Sequence, residues 1–168
     1  EEQGADELVF LDILATPKGR PTFLEAVRKV CDRITIPLTV GGGIRSVEDA
    51  EKALDAGAAK VSVNSAAVKD PDLLKDLSNE FGSEAVVSAI DADKISDDKW
   101  EVYISGGKEP TGIDMLEWAK TVEEKGVGEI LYTGLHTDGT KAGYDLKGTR
   151  MLAETVDLPI IASGGAGN

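Results

Sequence analysis

Short apolar runs alternate with amphipathic stretches along almost the whole chain, and turn residues separate them. Leu8-Val9-Phe10-Leu11-Asp12-Ile13 is nearly all apolar, the mark of a strand covered on both faces. Residues 38–40, 61–63, 85–90, 129–133 and 160–162 read the same way. Between them the apolar positions take helical spacing. One helix starts at Pro21 with Phe23, Val27 and Val30 on one face, and a second covers 47–56 and closes at Gly57. Asp70 and Pro71 open a third, with Leu73, Leu74, Leu77 and Phe81 inward and Gly82 at its end. Thr111 and Asp114 open a fourth through Met115, Trp118, Ala119 and Val122 to Gly126, and a fifth covers 148–156. Proline at a first turn and glycine just past a last one fit these boundaries. Residues 16–20 and 134–145 read as polar loops. Residues 92–112 break the rhythm: Lys99-Trp100-Glu101-Val102-Tyr103-Ile104 alternates like a half-exposed strand. That pattern predicts a β-hairpin near 94–105, turning near Asp97 and Asp98.

Strands alternating with helices at this spacing predict βαβ units and a parallel sheet. An internal repeat sharpens the picture. Pro37, Gly42 and Gly43 recur as Pro159, Gly164 and Gly165, and Glu7-Leu8-Val9-Phe10-Leu11 recurs as Glu129-Ile130-Leu131-Tyr132-Thr133, both at an offset of 122. A repeat of that length holds four strands. The partners of the strands at 61 and 85 then fall beyond the two ends of the sequence. The expected fold is a partial (β/α)8 barrel with six core parallel strands, equivalent to the second to seventh of a full barrel. An open doubly wound sheet is the alternative. Residues 1–168 are expected to form a single truncated barrel domain whose open strand edges pair between copies.

Composition narrows the partners. The net charge is −13, from 31 acidic and 18 basic side chains. That weighs against nucleic acid or an anionic membrane as a partner. The one cysteine, Cys31, excludes an intrachain disulfide and suits a reducing, cytoplasmic setting. No apolar run approaches the ~18 residues a membrane-spanning helix needs.

The chemistry-bearing residues gather at predicted strand ends. Thr39-Val40-Gly41-Gly42-Gly43-Ile44-Arg45-Ser46 carries a strand through three glycines into a helix. Such a turn lets backbone N–H groups close on a ligand's oxygens at a helix N-terminus; tight strand-to-helix packing is the plainer reading. Ser46 and Asp49 have capping-box spacing. With Gly164 and Gly165 as a second such turn, the pair suggests a ligand carrying a phosphate at each end. Asp91 ends a buried strand with no cation near it in sequence, so its pKa is expected above the ordinary value, fit for a general acid or base. Asp138, in Thr137-Asp138-Gly139-Thr140, lies in the loop after the fifth core strand and is expected to face it. Helix capping and turn formation are the structural alternatives for these two acids. His136 is the only histidine, so a multi-histidine metal site is excluded and no metal is expected; it reads as a solvated loop residue.

Taken together, Phe10-Leu11-Asp12, the 39–45 turn, Val61-Ser62-Val63-Asn64-Ser65-Ala66-Ala67-Val68, Asp138-Gly139-Thr140-Lys141-Ala142-Gly143-Tyr144-Asp145 and Ile161-Ala162-Ser163-Gly164-Gly165-Ala166-Gly167 resemble the cyclase subunit of imidazole glycerol phosphate synthase, an enzyme of histidine biosynthesis. The resemblance runs along essentially the whole chain. The sister isomerase of that pathway shares the Gly-rich turns but usually has Gly-Thr where Asn64 and Ser65 stand here.

The resemblance implies a reaction, a lyase/cyclase step without a cofactor. Ammonia from a glutaminase subunit attacks a bis-phosphorylated formimino aminoimidazole carboxamide ribonucleotide, giving imidazole glycerol phosphate. It implies Asp91 as one of two catalytic aspartates, Asp138 as a supporting acid, and substrate or phosphate contacts at Gly42, Gly43, Asn64, Ser65, Thr133, Gly164 and Gly165. It also implies that Glu7, Lys60 and Glu129 belong to a charged gate through which ammonia enters the barrel. Without the resemblance those three read as solvated strand-end charges. Two features depart from it: Ile13-Leu14-Ala15-Thr16 and Leu135-His136-Thr137 replace more polar loops, and the first and eighth strands are lacking. The 168 residues are accordingly expected to turn over little or no substrate. The rival readings are a non-catalytic phosphate-binding barrel fragment that self-assembles, and the isomerase.

Overall fold

The computed structural model describes residues 3–12 and 20–167; Ile13 and most of the loop expected over 16–20 lie outside them. Among the described residues the strands are β1 (Leu8–Leu11), β2 (Leu38–Gly41), β3 (Lys60–Val63), β4 (Val86–Ser96), β5 (Lys99–Ile104), β6 (Glu109–Asp114), β7 (Glu129–Gly134) and β8 (Ile160–Ser163). The helices are α1 (Arg20–Cys31), α2 (Val47–Asp55), α3 (Ser65–Lys69), α4 (Asp72–Phe81), α5 (Met115–Glu124) and α6 (Leu146–Thr155).

Six strands run parallel in the order β1-β2-β3-β4-β7-β8, with β5 added antiparallel to β4 and β6 antiparallel to β5. The architecture is the expected mixed α/β, barrel-like sheet, and it is not closed. Among the described residues β1 pairs only with β2 and β8 only with β7. The internal repeat is present in the register: Leu8 pairs with Leu38 and Leu11 with Gly41, as Ile130 pairs with Ile160 and Thr133 with Ser163. Even the leading hydrogen bonds match, Leu8 N to Pro37 O at 2.9 Å and Ile130 N to Pro159 O at 3.0 Å.

Helix starts follow side-chain chemistry. Ser46 Oγ accepts from Asp49 N at 3.2 Å, and the Asp49 carboxylate accepts from Arg45 N at 3.0 Å, one residue earlier than a capping box requires. Asp114 accepts from Leu116 N and Glu117 N at 2.9 and 3.2 Å. The core runs between the sheet and its helices, with Val40, Val61, Leu74, Leu77, Ile90, Met115, Ile130 and Leu152 fully buried.

Three expectations need correction, and one helix was not anticipated. β4 does not stop at Ile90 but continues to Ser96, so Asp91 lies inside it. Residues 87–92 pair with β7 while Asp91 to Ser96 pair with β5, and the second pairing extends a strand whose polar residues alternate. Thr111 opens no helix: it belongs to β6, and its hydroxyl donates to Val102 O at 2.7 Å. Ser65–Lys69 forms a helix of its own, too short to show a helical period. The last helix starts at Leu146, two residues early, because Asp145 caps it.

Candidate active site

The C-terminal ends of β1 to β4 surround one cavity of about 880 Å³. Asp12, Gly42, Gly43, Arg45, Asn64, Ser65, Lys69, Asp91 and the hairpin residues Ser105 and Gly106 line it. The triple-glycine turn owes its composition to close approach. Gly42 has φ +91, and a Cβ there would sit 2.2 Å from Asp12 O, so no other residue fits without moving backbone.

Asp91 sits at the inner wall. Asn64 Nδ2 donates to Asp91 Oδ2 at 2.9 Å, and Thr133, its register partner on β7, also hydrogen-bonds it. Burial pushes the Asp91 carboxyl above its ordinary value; the Thr133 and Asn64 hydrogen bonds pull it back, and the charge of Asp138 raises it further. Desolvation is the dominant cause, and a carboxyl so raised holds its proton to higher pH than a solvated one. Asn64 Oδ1 is buried and has no protein partner, so a ligand N–H or O–H would relieve an unmet acceptor there. The Ser65 hydroxyl oxygen accepts from Ser105 N at 2.9 Å, which ties the hairpin to this wall and leaves the hydroxyl proton free to donate.

Thr133, Asp138, Gly164 and Gly165 form a second group, which does not line that cavity. A Cβ at Gly164 would lie 3.3 Å from both Asp138 Cβ and Thr133 Cγ2. One at Gly165, whose φ is +85, would lie 2.1 Å from Gly143 O. Gly143 N donates to Gly165 O at 2.8 Å. Asp91 adjoins both groups, through Asn64 on one side and Thr133 and Asp138 on the other.

At the opposite ends of the strands Lys60 lies between Glu7 and Glu129. Its ammonium is 3.1 Å from Glu7 Oε2 and hydrogen-bonds Glu129 Oε1. Burial pulls the Lys60 pKa down, but the bonds to Glu129 and Glu7 outweigh it and hold the ammonium above its ordinary value.

Sequence reasoning missed a buried carboxylate. Asp145 accepts from Trp100 Nε1 and Tyr132 OH, each at 2.7 Å, and from Gly148 N at 3.0 Å. Burial raises its pKa, yet these donors outweigh burial and the net shift is downward. The sequence held a faint signal, because Trp100 stands on the inward register of an alternating strand. His136 is also not simply solvated: Nδ1 lies 3.5 Å from Asp93 Oδ1 and Nε2 3.7 Å from Asp145 Oδ2. A loop histidine finds such partners only through the strand that the sequence reading ended at Ile90.

Among the described residues no cluster suits a metal ion, and no helix is long and apolar enough to cross a membrane. A family model described as "Histidine biosynthesis protein" matches residues 1–168. The chain is 56% identical over 167 residues to imidazole glycerol phosphate synthase subunit HisF of Streptococcus mutans, covering 99% of this chain and 66% of that protein. It is 54% identical over 170 residues to the protein of the same name from Trichormus variabilis, with coverages of 99% and 66%. The Bacillus cereus protein of that name is 54% identical over 167 residues, again at 99% and 66%. The chain thus spans 66% of the length of these curated relatives.

Proposed function

Because the chain belongs to the histidine biosynthesis protein family, we propose that it carries the cyclase chemistry of imidazole glycerol phosphate synthase. In this reading ammonia and a bis-phosphorylated formimino aminoimidazole carboxamide ribonucleotide give imidazole glycerol phosphate, the aminoimidazole carboxamide ribonucleotide as leaving group, and water, in the cytoplasm. The observation that carries it is Asp91: a carboxyl raised by burial, beside an unmet Asn64 acceptor, between two Gly-rich turns. The relatives' shared name, imidazole glycerol phosphate synthase subunit, supports the choice of enzyme.

Each group then has a task. The backbone at Gly42 and Gly43, with Arg45 and Lys69 nearby, holds one phosphate, and Gly164 and Gly165 hold the other. Asn64 orients the ligand through its amide oxygen, with Ser65 and Thr133 as further polar contacts. Asp91, whose carboxyl burial raises above its ordinary value, acts as acid on the leaving nitrogen, and Asp138 assists as the companion acid. Glu7, Lys60 and Glu129 form the charged entrance at the far end, where a glutaminase partner would deliver ammonia. No step calls for a cofactor.

The test is ammonia-dependent conversion of that ribonucleotide by the gene product of the full reading frame. Turnover that falls by about 10²-fold or more in Asp91→Asn is expected; full turnover in that variant would overturn the assignment. Turnover of the isomerase substrate instead would favour the sister enzyme, although Asn64 and Ser65 support the cyclase. Self-association is a second element of the reading, supported by the exposed Val9 and Leu11 on β1, a strand that pairs only with β2 among the described residues. Sedimentation of the 168-residue chain as a monomer at all concentrations would count against it.

A further inference from the structure

We propose that Asp145 is a positioning residue that fixes Asp138 against Gly164 and toward Asp91, by locking the β7–α6 loop to the hairpin. The proposal rests on the reading of Asp91 and Asp138 as working acids, and goes beyond it by naming what holds them together.

Three elements donate to this one carboxylate: Trp100 from β5, Tyr132 from β7 and the first turn of α6 through Gly148 N. The side chain is 7% exposed. A buried carboxylate is tolerated only when so satisfied, so its geometry is fixed by all three donors together. His136 Nε2 approaches the same oxygen at 3.7 Å and His136 Nδ1 reaches Asp93 on β4.

The position of Asp145 is passed on through Gly134. Asp145 Cβ lies 2.9 Å from where a Gly134 Cβ would be, so the Asp145 side chain packs directly on the Gly134 backbone. Gly134 O in turn accepts from Thr137 N at 3.1 Å, Thr137 Oγ1 at 2.9 Å and Asp138 N at 3.0 Å. Thr137 Oγ1 also reaches Gly164 O at 3.3 Å. Asp138 therefore sits in a turn whose anchor is Gly134, and Gly134 is backed by Asp145. The hairpin, which contributes Ser105 and Gly106 to one side of the site, acts on the other side through Trp100.

The readout is the carboxyl titration of Asp91 followed by carbon-13 NMR, because the charge of Asp138 is what couples the two acids. Asp138→Asn is expected to lower the Asp91 midpoint. Asp145→Asn is expected to lower it by a similar amount by releasing Asp138, and to add nothing in an Asp138→Asn background. A purely structural role for Asp145 would leave the midpoint in place. Trp100→Phe, which keeps the Asp145 charge, should give a smaller shift of the same sign and decides the matter if Asp145→Asn does not fold. An unmoved Asp91 midpoint in folded Asp145→Asn or Trp100→Phe, alongside a shift in Asp138→Asn, overturns the positioning role alone. No shift in Asp138→Asn overturns the coupling of the two acids, and the proposal with it.

Discussion

Replacing Lys60 by Met removes the cation that Glu7 and Glu129 share. The exposures of the three side chains set the size of the effect: Lys60 18%, Glu129 13% and Glu7 42%. The Glu7 bond faces solvent and contributes about 0.5 kcal/mol after screening. Glu129 is enclosed, and removing its cation strands a carboxylate at a cost of about 2–3 kcal/mol, somewhat under that of a fully buried pair. Methionine keeps most of the lysine stem, so packing losses are small. The total is about 3 kcal/mol, which at about 2–4 °C per kcal/mol for a chain of this size lowers Tm by about 6–12 °C. Calorimetry at pH 7.5 reads this directly. The pH dependence follows from the raised Lys60 value. The stabilisation is full below the unfolded lysine value of ~10.4 and is lost as pH rises through the higher folded one, so parent and variant converge there. Adding Glu129→Gln deletes the stranded charge and should restore most of the loss. A single variant within about 0.5 kcal/mol of the parent, or a double variant no more stable than the single, would refute the ion-pair reasoning.

Asp91→Asn should stabilise the fold at pH 7 and leave it unchanged near pH 3. An acid raised by burial costs stability as pH climbs from its unfolded value through its folded one, and asparagine never ionises; urea unfolding at both pH values checks this. Gly42→Ala places a Cβ 2.2 Å from Asp12 O at φ +91, costing about 2–4 kcal/mol and weakening the binding of inorganic phosphate, measured by calorimetric titration. Tyr132→Phe takes one donor from the buried Asp145 carboxylate and should cost about 1–3 kcal/mol in denaturant unfolding.

Much of the fold was legible because the parallel strands are apolar on both faces and each helix is bounded by Asp, Ser, Pro or Gly. The six core strands and the hairpin turn at Asp97 and Asp98 follow from period alone. β6 was not legible: Glu109-Pro110-Thr111-Gly112 has no alternation, and it becomes a strand only because β5 offers it partners, with Gly112 N donating to Glu101 at 2.7 Å. The continuation of β4 past Asp91 was hidden for the same reason. In the site, Asn64 and the glycine turns stand at strand ends and Asp91 follows a buried apolar run, so they can be read from position. Asp145 cannot, since two of its donors come from Trp100 and Tyr132, 45 and 13 residues away, and the inward register of Trp100 does not say which acid it meets.

The matched registers of β1–β2 and β7–β8 give the molecule its own internal control. Two stretches share one pairing register at an offset of 122 residues, so each difference between them stands out against a common frame. Phe10 stacks on Phe23 with ring centroids 5.1 Å apart, whereas its counterpart Tyr132 has gained a hydroxyl and spends it on Asp145. Asp12, whose carbonyl oxygen abuts the first glycine turn, became Gly134, whose carbonyl oxygen abuts the second. With no side chain at Gly134, Asp145 has the space in which it packs. The same strand pair thus meets an open cavity in one half and is tied to a loop in the other.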